Sequence, residues 1–264
     1  MDTTAKPSAR LVRAFLAGIG IGALGGLIGL GGAEFRLPLL IGLFGFPALE
    51  AVILNKAMSL VVVASALPGR TGAVSLEAVA AQWPIILNLL AGSLLGAWLG
   101  AGWATRMSAR LLQQIIAAML LLMAVALLLG HGEAAPPALI GPAQSVAGVA
   151  AGFAIGIVAS LLGVAGGELL IPTLVLLFGV EVKLAGSLSL AISLPTMLVG
   201  FARYSRDRSF EVIGRNTQFL LVMAAGSVAG TMIGGWLLGV VPGGVLLPLL
   251  AGLLMISAWR VWRH

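Results

Sequence analysis

From Gly18 to Ala124 the chain repeats itself at Gly152 to Ala258, an offset of 134 residues held without a gap. Matched positions include Gly22/Gly156, Glu34/Glu168, Pro38/Pro172, Gly45/Gly179, Ser59/Ser193, Ser75/Ser209, Glu77/Glu211, Gly92/Gly226, Gly96/Gly230 and Gly100/Gly234. Apolar segments resemble one another by chance, but a register kept through the loops between them does not arise easily that way. The chain is a duplication, and its fold must be two copies of one unit.

Each unit is a series of apolar runs. The first holds 11–30, 34–44, 51–67, 79–104 and 111–129; the second holds 146–164, 168–178, 185–201, 213–240 and 245–262. Hydrophobic residues make up 60% of the 264 and charged residues only 9%, at a mean hydropathy of +1.12. A soluble domain carries about a quarter charged residues, so the pattern is that of an all-α polytopic membrane protein. The boundaries follow: residues 1–10 form a polar tail, 11–130 the first transmembrane repeat, 131–144 a linker and 145–264 the second repeat. The Lys6 to Arg13 start resembles a signal peptide, but the apolar run that follows belongs to the repeat and lacks a cleavage site, so it is expected to stay in the mature chain.

The net charge of +6 does not point to nucleic acid, because Lys and Arg gather at loop ends. Basic residues stand in the N-terminal tail, at Arg106 and Arg110, at Arg203, Arg206, Arg208 and Arg215, and at Arg260 and Arg263, while the linker has none. Placing these clusters in the cytoplasm makes the linker external and both termini cytoplasmic. Each half then begins and ends on opposite sides, so the two repeats are inverted. Inverted repeats of about five helical elements are a common plan of secondary transporters, with the substrate near the midplane between them.

The matched core of each repeat is Gly29-Leu30-Gly31-Gly32-Ala33-Glu34 and Gly163-Val164-Ala165-Gly166-Gly167-Glu168. In both it separates a long apolar run from one about half the length of a span. Charge parity allows two full spans or a hairpin entering and leaving on one side. The short second run favours a broken hairpin with its turn near the bilayer midplane, where irregular backbone persists only if protein buries it or it lines a cavity. A glycine-rich break before a helix start offers free backbone N–H groups and the positive end of a helix dipole to an anion. Gly31, Gly32, Gly166 and Gly167 are therefore candidate substrate contacts. Glu34 and Glu168 would compete with a bound anion when ionised. Burial disfavours a charged carboxylate, so they are candidates for gating or proton coupling. Asn55 and Ser59, matched by Ser189 and Ser193, lie one turn apart on a helix face and are candidate neutral donors. Lys56, and Arg36 (whose matched position is Leu170), are candidate charged contacts.

Other motifs carry less. Gly20-x-Gly22-x-x-Gly25 matches a dinucleotide fingerprint, but no strand precedes it. The spacings Gly92-x-x-x-Gly96-x-x-x-Gly100 and Gly226-x-x-x-Gly230-x-x-x-Gly234 are small-residue packing faces, for contact within the fold or in a homodimer. Pro195 inside the eighth element predicts a kink. The chain has no cysteine, and its two histidines are isolated. No metal site, cofactor motif or nucleophile–base pair appears, so an enzyme is not expected.

The cores Gly26-Leu27-Ile28-Gly29-Leu30-Gly31-Gly32 and Ser160-Leu161-Leu162-Gly163-Val164-Ala165-Gly166-Gly167, each leading to a Glu with Pro four residues on and then to F-G and an A-x-x-x-[NS] helix, resemble the TauE/SafE family of membrane permeases, over about residues 14–262. In the second copy Ala165 stands for a glycine. The resemblance implies a bacterial inner-membrane protein moving a sulfur-containing anion such as sulfite or an organosulfonate. Together these features suggest an anion exporter working by alternating access. A passive anion channel of the same fold and a non-transporting membrane subunit are the rival readings.

Overall fold

The computed structural model describes residues 7–28, 32–70, 75–129, 139–237, 252, 255–259 and 261–262. Among them there is no strand. The helices are α1 (Pro7–Ile28), α2 (Ala33–Gly42), α3 (Ala48–Arg70), α4 (Leu76–Ala81), α5 (Trp83–Ala104), α6 (Ala109–Leu129), α7 (Pro142–Leu162), α8 (Gly167–Phe178), α9 (Val182–Tyr204), α10 (Glu211–Arg215) and α11 (Thr217–Leu237). The last apolar run is described only in part and is helical there. Six of the described helices are long and apolar enough to cross a membrane.

The helices differ from the expected runs at places with local causes. The fourth run is broken at Gln82, where Pro84, in the first turn of α5, cannot donate a backbone bond to the preceding turn. Its counterpart is broken at Asn216. There the Asn216 Nδ2 donates to the Val212 carbonyl at 3.1 Å and the Thr217 hydroxyl to that of Ile213 at 2.8 Å, side chains competing with the backbone ladder. Helix α1 begins inside the expected tail and α7 inside the expected linker, each with proline in its first turn, where a missing N–H costs nothing. Helix α3 runs through Pro68 to Arg70 rather than stopping there. Helix α9 is continuous through Pro195.

Both short helices return to the end from which their long partners start. The Arg10 guanidinium, near the start of α1, lies 5.3 Å from the centre of the Phe46 ring, which follows α2. In the second repeat Gln144 Nε2, near the start of α7, donates to the Leu177 carbonyl at the end of α8 at 2.7 Å. Helix α2 has 10 residues and α8 has 12; at ~1.5 Å per residue each covers about half of a ~30 Å hydrocarbon layer. The hairpins therefore re-enter rather than span twice.

The repeats exchange partners. Helix α1 packs on α11 of the other half, and α7 packs on α5. Glycine decides how closely. A methyl group at Gly18 or Gly22 would run into the backbone of Met223 or Ser227, and one at Gly226 or Gly230 into that of Phe15 or Ile19. Gly92, Gly96 and Gly100 meet Val149, Phe153 and Ile157 in the same way. Residue numbers rise together in both pairs, so α1 and α11 start on one side, and α5 and α7 start together. Of the two uses expected for these glycine faces, the fold shows the one inside the chain. Backbones brought this close gain dispersion and Cα–H···O contacts, which replace the hydrophobic drive that lipid cannot supply.

Apolar side chains fill the rest. Leu37, Leu40, Ile53, Leu54, Ile116 and Leu120 form one core around α2, α3 and α6, and Leu170, Leu174, Leu188 and Ile192 a second around α8 and α9. We expect Gly96→Leu to abolish recovery of monodisperse protein, because a side chain there meets backbone that has nowhere to move. Gly20→Ala, on the same kind of helix with nothing within 4 Å, should be neutral or raise the melting temperature, since alanine is the better helix former by ~1 kcal/mol.

Candidate functional site

The described parts of the hairpin turns are buried in protein, and glycine conformation shapes them. Gly163 ends α7 at φ 66°, Gly166 precedes α8 at φ 82°, and Gly32 precedes α2 at φ 69°. These left-handed values suit glycine. Gly31 lies outside the described residues. Residues 159–167 are all buried. The Gly32 carbonyl accepts from the N–H groups of Phe35 and Arg36, both at 3.2 Å, and the Gly166 carbonyl from those of Leu169 and Leu170, at 3.1 and 2.9 Å. The N–H groups of Ala33 and Glu34, and of Gly167 and Glu168, precede these first helical bonds.

Glu34 and Glu168 stand in the first turns of α2 and α8. Their carboxyl groups are close enough to act on each other. Neither oxygen of Glu34, nor Oε2 of Glu168, has a hydrogen-bond partner among the described residues. Two carboxylates facing each other repel, and a single proton between them removes that repulsion.

Arg36 is wholly buried, in the first turns of α2. Its Nε donates to Asn55 Oδ1 at 2.8 Å, its Nη2 to Ser59 Oγ at 3.1 Å and its Nη1 to Ser227 Oγ at 3.3 Å. All three partners are neutral. Glu34 lies near enough to attract the guanidinium but makes no direct ion pair with it. The fork thus reaches from α2 to α3 and across to α11 of the other repeat.

Asn55 is the pin of the centre. Beyond accepting from Arg36, its Nδ2 donates to the Ala33 carbonyl and to the Leu162 carbonyl, both at 3.0 Å. One side chain therefore ties the start of α2 to the end of α7, the two hairpins of opposite repeats. The Ser59 hydroxyl lies 2.7 Å from the Asn55 carbonyl and 3.3 Å from that of Gly163. In this state Asn55 has its donors committed to the protein, and so does Ser59.

The matched residues do less. Ser189 donates to the Gly186 carbonyl at 2.9 Å, and the buried Ser193 hydroxyl has no partner among the described residues. The difference follows from sequence. Ser59 is bonded by Arg36, whereas the position matching Arg36 is Leu170, which has nothing to donate. Lys56 is wholly buried, and its Nζ is likewise without a partner. Gly167 is buried at the start of α8. Arg36, Asn55 and Ser59 thus gather where the two hairpins meet α3, with Glu34 beside them, while no hydrogen bond among the described residues joins Lys56, Ser189 or Ser193 to this group. A cavity of about 510 Å³ lies elsewhere, on the outer face of the α5–α7 pair, lined by Asn88, Leu95, Val146 and Phe153 among others. Leu95 and Val146 are largely exposed, so it opens toward lipid.

The family model described as Sulfite exporter TauE/SafE matches residues 2–127 and 147–264. The chain belongs to the TauE/SafE family. No curated protein and no solved structure matches it. This TauE/SafE chain is therefore a multi-pass membrane protein of a transporter family.

Three contributors escaped the reading of the TauE/SafE sequence as site residues. Ser227 bonds Arg36 from 191 positions away. The Ser160 hydroxyl donates to the Ala97 carbonyl at 3.0 Å, and the Tyr204 hydroxyl to the Ser160 carbonyl at 2.9 Å. Ser227 did carry a signal, being paired with Ser93 in the repeat. Ser160 has no polar twin that would mark it, since Gly26 holds its matched position, whereas Tyr204 is matched by Arg70.

Proposed function

We propose that this protein carries a small sulfur-containing anion, sulfite or an organosulfonate, outward across the bacterial inner membrane by alternating access, with both termini cytoplasmic. The observation that carries the reading is the buried meeting of two hairpins. There the guanidinium of Arg36 is hydrogen-bonded only by neutral side chains, beside the carboxyls of Glu34 and Glu168, of which neither oxygen of the first and one of the second has a hydrogen-bond partner among the described residues. A fixed positive charge whose carboxylate neighbour makes no ion pair with it suits a transient anionic partner. The first-turn N–H groups of α2 and α8, which precede the first helical bonds, add donors on either side of it.

The glutamates act as the gate. When ionised, Glu34 occupies the field of Arg36 and repels an arriving anion. When a proton neutralises the pair, that field is released to the substrate. Anion and proton then occupy the centre together. No nucleotide-binding motif is needed where the proton stays on the glutamate pair and the anion leaves alone, because an inside-negative potential then favours its exit by ~2.3 kcal/mol per charge per 100 mV.

Two tests bear on this reading. In a melting panel with sulfite, sulfate, simple sulfonates, carboxylates and chloride, a true substrate at ~100 times its dissociation constant should stabilise by about 2.7 kcal/mol. No stabilisation by any anion would contradict it. For the gate, Glu34→Gln with Glu168→Gln should flatten the pH dependence of flux in proteoliposomes, holding it near the wild-type level at low pH. An unchanged pH profile would remove the coupling role.

A further inference from the structure

Lys56 follows Asn55 on α3, yet its ammonium is not among the groups bonded to Arg36, Asn55 or Ser59. It lies over Gly200 of α9, where a methyl group would stand 3.0 Å from Nζ and 2.9 Å from the Ser160 hydroxyl of α7. The absence of a side chain at position 200 lets both groups come this close to the α9 backbone. The ammonium is wholly buried, and no hydrogen-bond acceptor or carboxylate among the described residues meets it. Arg36, equally buried, has three side-chain partners.

The surroundings of Lys56 are not part of the duplicated design. The positions matching Lys56, Ser160, Gly200 and Tyr204 are Leu190, Gly26, Ala66 and Arg70. The twinned residues Glu34/Glu168, Gly32/Gly166 and Ser59/Ser193 build the centre, whereas this cluster stands on one side of it alone. Gly200 is one turn before Arg203 on α9, and the next loop carries Arg206 and Arg208. Arg203 and Arg206 stack over Trp98 at 5.7 and 4.8 Å from its ring centre. The cluster thus lies toward the basic end of α9.

An ammonium kept from water without acceptors is unfavourable unless something completes it. Its three donors fit the oxygens of a small oxyanion, and the Ser160 hydroxyl stands beside them. We propose that Lys56, with Ser160 beside it where α3 and α7 meet Gly200 of α9, forms a single second station for the transported oxyanion, between the basic loop after α9 and the glutamate-gated centre. This inference rests on the anion-carrier reading and adds that the path is asymmetric, with its waiting site on the side that charge assigns to the cytoplasm.

The test is anion binding to the purified full chain, with sulfite, sulfate and methanesulfonate as probes and chloride as the control. Lys56→Met should raise the dissociation constant of the binding oxyanion at least tenfold. Its ligand-free melting temperature should be unchanged or higher, since an unpartnered buried charge has been removed. Gly200→Ala keeps the lysine but sets a methyl against its Nζ and the Ser160 hydroxyl, and should weaken binding in the same direction. Should Lys56→Met fail to fold, Lys56→Gln and Gly200→Ala carry the comparison. Wild-type affinity in these variants overturns the second station and leaves the carrier reading standing. Failure of the wild type to bind any probe overturns both.

Discussion

Arg36→Leu is expected to abolish anion transport and to lower stability by about 3 kcal/mol, the scale for breaking a buried charged cluster from one side. Leucine fits the shape, since Leu170 holds the matched place in the second repeat. What is lost is the donor set. Asn55 Oδ1 and the hydroxyls of Ser59 and Ser227 lose their shared partner, and Glu34 loses the positive charge that steadies it. The two effects separate in Ser227→Ala. That change removes one bond at 3.3 Å, should destabilise by only about 1 kcal/mol, and should leave transport measurable. Flux in Arg36→Leu equal to wild type, measured on protein of normal yield, would show that the guanidinium is structural only.

Gly163→Ala is expected to destabilise by more than 4 kcal/mol, enough to remove most folded protein from a chain of ordinary stability. Two terms add. At φ 66° an L-residue costs about 1–2 kcal/mol. The methyl would also meet the Val52 carbonyl of α3 and approach the Lys56 N–H at 3.2 Å, neither of which can turn away. To relieve this the turn must lift from α3, and the bonds from Asn55 to Leu162 and from Ser59 to Gly163 then break. Gly45→Ala is the control. Its φ is 69° but nothing lies within 4 Å, so only the backbone term of about 1–2 kcal/mol applies. Equal melting temperatures for the two variants would refute the close packing of turn against helix.

Much of the architecture was legible because it depends on spacing. The 134-residue register marked the repeats, the short runs after Gly32 and Gly166 marked the broken hairpins, and glycines four apart marked the tight helix pairs. Charge parity left the hairpins open, and the Arg10–Phe46 and Gln144–Leu177 contacts decide them, since these are tertiary contacts with no local signature. The break at Gln82 was hidden because apolar residues continue on both sides, and the one at Asn216 because its polar stretch stands close to the start of a long apolar run, while Pro84 and Asn216 act on single backbone bonds.

The site was legible as a set of residue types rather than as a set of partners. Glu34, Arg36, Asn55, Lys56 and Ser59 stand out as polar residues within apolar runs. That Asn55 would pin both hairpins could not be read, because Leu162 lies 107 positions away. The asymmetry of the repeat was visible at Leu170, and its consequence at Ser193 emerged only with the helices in place.

The most direct test of the central claim is counterflow in proteoliposomes of purified protein. Labelled sulfite outside would be measured against unlabelled sulfite, or a sulfonate, inside. The account expects saturable uptake, accelerated by the trans anion and lost in Arg36→Leu. Wild-type vesicles that take up no labelled anion under any internal load would contradict it.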